Sequence, residues 1–326
     1  MTLEEVRKQI DVVDKQIKSL FKERMILADQ VARVKAESED AIYKPNREEA
    51  IITKLTGDVD DSIKKEYTAL IKRIMEVSRK YQYGRTLELR NCLNVSFETE
   101  EPKVKKLAML KHELYICQGY SRDLVNTVSD YEQVMELIRK DEADAGMGIF
   151  EDISYGVSDS LHEALAMNDL YIYRCDEVLD EGHRKKVVTF GKQLVVLPEH
   201  NRLKIVFVCK NKSGSLASVL SMISDYGVNL TEIHSVPFRG GEWNYRFYIE
   251  LNGNLLQKEI QALVFQLINE TETFKILIVN NKFLYIREKR HDRQISKKNQ
   301  RDKGTDRCWT GSDAFLCAGI YKEDSI

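Results

Sequence analysis

Seven side chains in the first ninety residues carry most of the chemistry in this sequence: Arg7, Arg24, Lys35, Arg47, Glu48, Ser78 and Gln82. They comprise four cations, one carboxylate, one hydroxyl and one amide, with no nucleophile–base pair and no metal-ligating cluster among them. Such a set suits the holding of a small dianion and the stabilisation of charge developing on it; it is poorly equipped for covalent catalysis. On a helix, Arg24 and Lys35 fall on nearly one face about 16 Å apart, and together they bracket a ligand of metabolite size. Arg7 lies about 25 Å from Arg24 along the same axis. It therefore reaches that ligand only from a second protomer lying antiparallel. Ser78 and Gln82 share a helix face, one turn apart. Arg47 and Glu48 open a short helix, where a backbone amide is also expected to face the anion.

These groups need three helices to position them. Leu3, Val6, Ile10, Val13, Ile17, Leu20, Leu27, Val31 and Val34 repeat at helical spacing and predict one long amphipathic helix from about Thr2 to about Ala36. A short helix follows from Asn46 to about Leu55, with Pro45 at its start. Tyr67, Leu70, Ile71, Ile74, Met75, Val77 and Tyr81 predict a third, from about Ile63 to about Leu89. One short and one long partner cover only part of the first stripe, so the remaining seam predicts association.

Composition narrows the class. The chain has 326 residues, 43% hydrophobic and 31% charged, with a net charge of −2. That balance predicts a soluble protein with no whole-chain pull toward nucleic acid or an anionic membrane. No run approaches the roughly 18 apolar residues of a membrane span. The start MTLEEVRKQI lacks the apolar core of a signal peptide. Six scattered cysteines without a C-x-x-C pair read as reduced thiols of a cytoplasmic protein. No metal and no cofactor is expected.

Beyond the helices, residues 91–106 turn polar and predict a linker. Residues 107–200 alternate short strands (113–117, 145–150, 170–174) with helices (131–140, 159–167), an α/β pattern too short for a complete doubly wound domain. Residues 201–279 then read as strand, helix, two strands around Gly240-Gly241, helix and strand, a ferredoxin-like βαββαβ unit. From 280 to 326 the composition becomes basic, with nine Lys/Arg against three Asp/Glu between Lys282 and Lys303. That tail predicts a solvated, disordered extension. The fold class is thus multidomain α and α+β.

The segments around Arg7–Asp14, Glu23-Arg24-Met25, Val34-Lys35, Ile42–Glu48 and Met75–Gln82 resemble the all-helical chorismate mutases over residues 1–90. That resemblance implies an intertwined helical homodimer that converts chorismate to prephenate by a Claisen rearrangement, in phenylalanine biosynthesis from the shikimate pathway. It places Arg24, and Arg7 of the other protomer, on the two carboxylates, with Lys35 and Gln82 on the breaking ether oxygen. Glu48 would hold the ring hydroxyl, and Arg47 and Ser78 would complete the carboxylate contacts. Lys44, also at the substrate, stands where many members carry an aspartate.

Ser213–Ala217, Asn229–Ile233 and Trp243–Phe247 resemble an ACT regulatory domain of the kind attached to prephenate dehydratase. The resemblance puts an allosteric phenylalanine site on Gly214, Ser215, Leu216, Ala217 and Ser235. Two positions of the family's Glu-Ser-Arg-Pro segment are changed in His234-Ser235-Val236-Pro237. Between the two, Gly148–Ser158 resembles part of a prephenate dehydratase, but Val188-Thr189-Phe190-Gly191 lacks the arginine of that family's Thr-Arg-Phe motif. The leading reading is therefore a mutase whose dehydratase segment is truncated and inactive. The alternatives are a bifunctional mutase/dehydratase regulated by phenylalanine, and a non-catalytic ACT-type amino-acid sensor.

Overall fold

The computed structural model describes residues 1–38, 40–91, 93, 95–117, 120–152, 156–180, 182–238, 244–280 and 284–285. The Gly240-Gly241 turn and the tail from residue 286 onward lie outside them. The architecture is a helical N-terminal part followed by α/β and βαββαβ parts.

The three expected helices are present as α1 (Leu3–Ser38), α2 (Pro45–Leu55) and α3 (Lys64–Arg90). The second half of α1 runs beside α3 in the same direction. Small buried residues, Ala28 and Ala32, allow the close approach. Asp29 accepts from Arg85 Nε at 2.9 Å. Arg90 Nη2 donates to the Lys35 carbonyl at 2.8 Å, which places a cation on the carbonyl end of α1. Among the described residues, nothing gives the first half of α1 such cover. Leu3, Ile10, Val13, Ile17 and Leu20 are 51–66% exposed, and Leu27, Val31 and Val34 are 42–63% exposed. Covering each would contribute roughly 1 kcal/mol, so the uncovered stripe favours association strongly.

The next segment departs from expectation. Of residues 113–117, expected as a strand, 113–116 lie in a 3-10 turn (Lys111–Ile116) after β1 (Leu107–Leu110) and Cys117 caps it. The buried Glu113 carboxylate explains the turn: it accepts the Tyr131 hydroxyl at 2.9 and 2.8 Å, which folds the backbone toward α4 (Tyr131–Arg139). A five-residue apolar alternation does not decide between the two conformations. β1 was not anticipated, nor were β2 (Val125–Val128) and β6 (His183–Gly191). The latter forms a hairpin with β5 (Tyr171–Asp180), which extends well past the expected 170–174. β3 (Ala145–Asp152), β4 (Gly156–Val157) and α5 (Asp159–Met167) complete this part.

The βαββαβ unit consists of β7 (Arg202–Cys209), α6 (Ser215–Asp225), β8 (Leu230–Phe238), β9 (Asn244–Asn252), α7 (Lys258–Glu270) and β10 (Glu272–Asn280). Its sheet order β10-β7-β9-β8 is that of a ferredoxin-like sandwich. Leu203, Ile205 and Phe207 of β7 face the apolar sides of α6 and α7; Val206 faces the opposite way, into a core shared with α4 and α5.

The two parts are not separate sheets. β10 pairs in parallel with β5, so one sheet runs β2-β1-β3-β6-β5-β10-β7-β9-β8, with β4 on β3 and β11 (Leu284–Tyr285) on β5. The stretch expected as a linker also joins this body. Leu93, Val95 and Phe97 pack against the α6/α7 core, and Glu98 exchanges backbone hydrogen bonds of 2.8 Å with Leu194 and Val196.

The central part is tightly built under Phe190. A Cβ on Gly146 would lie 2.3 Å from that ring. Gly146→Ala is therefore expected to destabilise the fold by about 1–3 kcal/mol, read as a lowered urea midpoint with an unchanged slope.

Candidate active site

α1, α2 and α3 bring most of the expected cluster together. From the middle of α1, Arg24 reaches α3, where its Nη1 donates to the Ser78 hydroxyl and to the Ile74 carbonyl at 3.4 Å. Near the end of α1, Lys35 Nζ donates to the Ile42 carbonyl at 2.8 Å, which ties the loop before α2 to the helix. Glu48 lies in the first turn of α2, on the α3 side, and accepts from Arg79 Nη1 at 2.5 Å through Oε2. Gln82 is half-buried one turn beyond Ser78, and its side chain makes no hydrogen bond among the described residues.

The electrostatics match this grouping. Burial lowers the pKa of Arg24, with Glu48 pulling the other way. Burial also lowers that of Lys35; Lys44 and Arg47 add to the effect, while Asp40 and Glu48 oppose it. Glu48 is thus close enough to act on both cations; Arg24 and Lys35 are half-buried with it, and Lys44 and the exposed Arg47 lie near Lys35. Such a space favours an incoming anion.

One expectation, a backbone amide facing the anion, is not met. The amides of Arg47 and Glu48 donate to the Lys44 carbonyl, both at 3.1 Å, so they close the first turn of α2 and are not available to an anion. Lys44 Nζ is paired with Asp40 at 2.5 Å. Arg7 is exposed on the uncovered half of α1, about 25 Å from Arg24, and is not brought to the cluster within one chain.

The candidate regulatory residues lie elsewhere. Gly214 takes the left-handed conformation (φ 86°) at the N-terminus of α6, a geometry suited to glycine, and Ser215, Leu216 and Ala217 form the first turn. Ser235 is exposed on β8, the last strand of the sheet, opposite Phe247. No hydrogen bond among the described residues joins it to that turn.

Two functional candidates were missed in the sequence. Arg79 lies almost fully buried, over the Tyr43 ring at 4.7 Å. Besides Glu48 it binds Glu270, the last residue of α7, through Nε (3.1 Å) and Nη2 (3.3 Å). Burial works against the guanidinium charge, but Glu270 and Glu48 outweigh it and leave the pKa above its ordinary value. Burial leaves the Glu270 pKa raised despite Arg79. The available signal was the position of Arg79 beside Ser78; nothing in the sequence pairs it with a residue 191 positions away.

Known proteins give this geometry a context. Residues 6–83 match the family Chorismate mutase type II, and residues 204–269 match the ACT domain. The chain joins a chorismate mutase domain to an ACT domain. It is 29% identical over 77 residues to a bifunctional chorismate mutase/prephenate dehydratase of Aquifex aeolicus, which covers 24% of this chain and 21% of that protein. It is 31% identical over 80 residues to a prephenate dehydratase of Amycolatopsis methanolica, covering 24% and 26%. The chain thus matches about a quarter of the length of these relatives. Among solved structures, a prephenate dehydratase of Arthrobacter aurescens in complex with L-Phe superposes with a TM-score of 0.47 at 13% identity, over 54% of this chain and 90% of that one.

The candidate cluster therefore lies in the matched helices, and Arg79 ties it to α7. Removing this cation would leave Glu48 and Glu270 facing each other without a counter-charge. Arg79→Met is expected to cost about 3–5 kcal/mol, measured by urea unfolding at neutral pH.

Proposed function

We propose that this protein is a chorismate mutase that rearranges chorismate to prephenate at a site shared between two copies of the chain. The observation that supports this reading is that Arg24, Lys35, Glu48 and Ser78, from three helices, lie close to one another in a half-buried region, with Gln82 one turn beyond Ser78 on α3. Chorismate is a dianion, and its rearrangement needs no covalent intermediate. As its C–O bond stretches, negative charge builds on the ether oxygen, and donors held in place lower that barrier without reorganising. In this reading Lys35 and Gln82 donate to the ether oxygen. Arg24, together with Arg47 and Ser78, holds carboxylate, Glu48 accepts the ring hydroxyl, and Lys44 borders the substrate. Arg7 of the second copy supplies the other carboxylate contact. The uncovered stripe of α1 supports this antiparallel pairing, because among the described residues it extends past α3, the helix that packs on it.

The dehydratase step is absent in this reading. Thr189, in the segment most like the dehydratase motif, is buried and lines a cavity of only about 40 Å³. That is room for little more than ordered water. Phe190 beside it is fully buried in the core. Phenylalanine, or a ligand of the same class, is the expected occupant of the ACT domain.

Lys35→Ala should reduce turnover of chorismate by a factor of about 10² or more while the helical circular dichroism is kept; undiminished turnover would refute the assignment. Mixing Arg7→Ala with Lys35→Ala chains, each nearly inactive alone, should restore one good site per heterodimer. An absence of recovery in mixed dimers rules out the shared site. With prephenate as substrate, no phenylpyruvate should form above the acid-catalysed background, and enzymatic formation would establish the bifunctional alternative.

A further inference from the structure

Resting on the mutase reading above, we propose that Glu270 of the ACT domain is a positioning residue for the mutase site. It holds Arg79 so that only one oxygen of Glu48 is engaged, which leaves the other for the substrate hydroxyl.

The geometry specifies how. A guanidinium presents its donors in a rigid planar fork. The Nε and Nη2 edge of Arg79 lies on the two oxygens of Glu270, at 3.1 and 3.3 Å. Only Nη1 then extends to Glu48, where it meets Oε2 at 2.5 Å. Among the described residues, Glu48 Oε1 accepts no hydrogen bond. The far end of this chain is also fixed: Gln266 Nε2 donates to Glu270 Oε1 at 3.0 Å, and the Tyr226 hydroxyl donates to Gln266 Oε1 at 3.1 Å. From Tyr226 to Glu48, each side chain is oriented by the one before it.

Loss of the Glu270 carboxylate would free the fork. With a neutral amide at 270, the full charge of Arg79 is directed at Glu48, and the stronger bidentate arrangement on both Glu48 oxygens becomes the favoured one. The oxygen left for the substrate hydroxyl is then occupied. Removing a negative charge near the site also favours a dianion, but that gain acts at a distance and is screened. The lost contact is a charge-assisted hydrogen bond and outweighs it. A hydroxyl contact made equally in substrate and transition state appears in KM and leaves kcat unchanged.

The test compares full-length chains by chorismate consumption. Glu270→Gln should raise KM about tenfold with kcat within about twofold, and Glu270→Asp, which keeps the charge, should recover part of the loss. Arg79→Lys keeps the cation but cannot bridge two carboxylates; it should raise KM as well, and it serves if Glu270→Gln folds poorly. Combining Arg79→Lys with Glu270→Gln should add little to the larger single effect, since both break one chain. Asp225→Asn breaks a separate contact between the domains, the pairing of Asp225 with Arg73, without touching Glu48. Its KM should stay at the wild-type value. An unchanged KM in both Glu270→Gln and Arg79→Lys overturns the inference, as does an equal rise in Asp225→Asn, which would assign the effect to domain docking in general. A wild-type chain that leaves chorismate intact overturns the mutase reading itself and this inference with it.

Discussion

A single guanidinium, buried between two carboxylates that belong to different domains, fixes how the halves of this protein meet. Arg79 carries one positive charge against the two negative charges of Glu48 and Glu270. Taking three charges out of water is costly, and an apolar replacement of the whole set would often be as stable. Its value lies in geometry. The bidentate pairing with Glu270 defines the angle at which α7 meets α3, and the third contact defines where α2 sits on the same helix. The surrounding contacts agree with that placement: Tyr83 packs edge-on against Phe265 at 5.6 Å, and Lys80 lies over the Tyr226 ring at 4.8 Å.

α3 thereby serves two neighbours through two adjacent stripes. Ser78 and Gln82 lie on the stripe nearer the cation cluster; Arg79 and Tyr83, one residue on, turn about 100° toward the ACT domain. Any rotation of α3 that improves one contact set disturbs the other. The helix that carries part of the candidate mutase site is for this reason also the docking surface of the ACT domain. α1, in contrast, is tied among the described residues along its second half alone.

What the sequence made legible follows from what is local. The three helices, α4, α5 and the βαββαβ unit are set by periodicities and turn residues within a few positions, and all were readable. The site cations were readable as types at helical spacing. The 3-10 turn at Lys111–Ile116 was misread because its cause, the Tyr131–Glu113 hydrogen bond, lies outside the window that periodicity uses. β6 was overlooked because its first half, His183 to Lys186, is strongly polar; there the strand is held by the hairpin with β5 and by ion pairs such as Lys186–Glu151. The Arg79–Glu270 pair depends on how two domains pack, which no pattern within either domain encodes.

The insertion of β10 between β5 and β7 has a consequence for biosynthesis. The hairpin of β5 and β6 can form once residue 191 has left the ribosome, but one edge of β5 stays open until the chain reaches β10, at residues 272–280. The ferredoxin-like unit cannot close sooner either, since β7 waits for the same strand. A nascent chain therefore carries the open edge of β5 for some eighty residues of synthesis and that of β7 for some sixty, about 4–16 s for the longer wait at ordinary translation rates. Meanwhile α1 to α3 are complete, so the helical part can form long before the sheet closes.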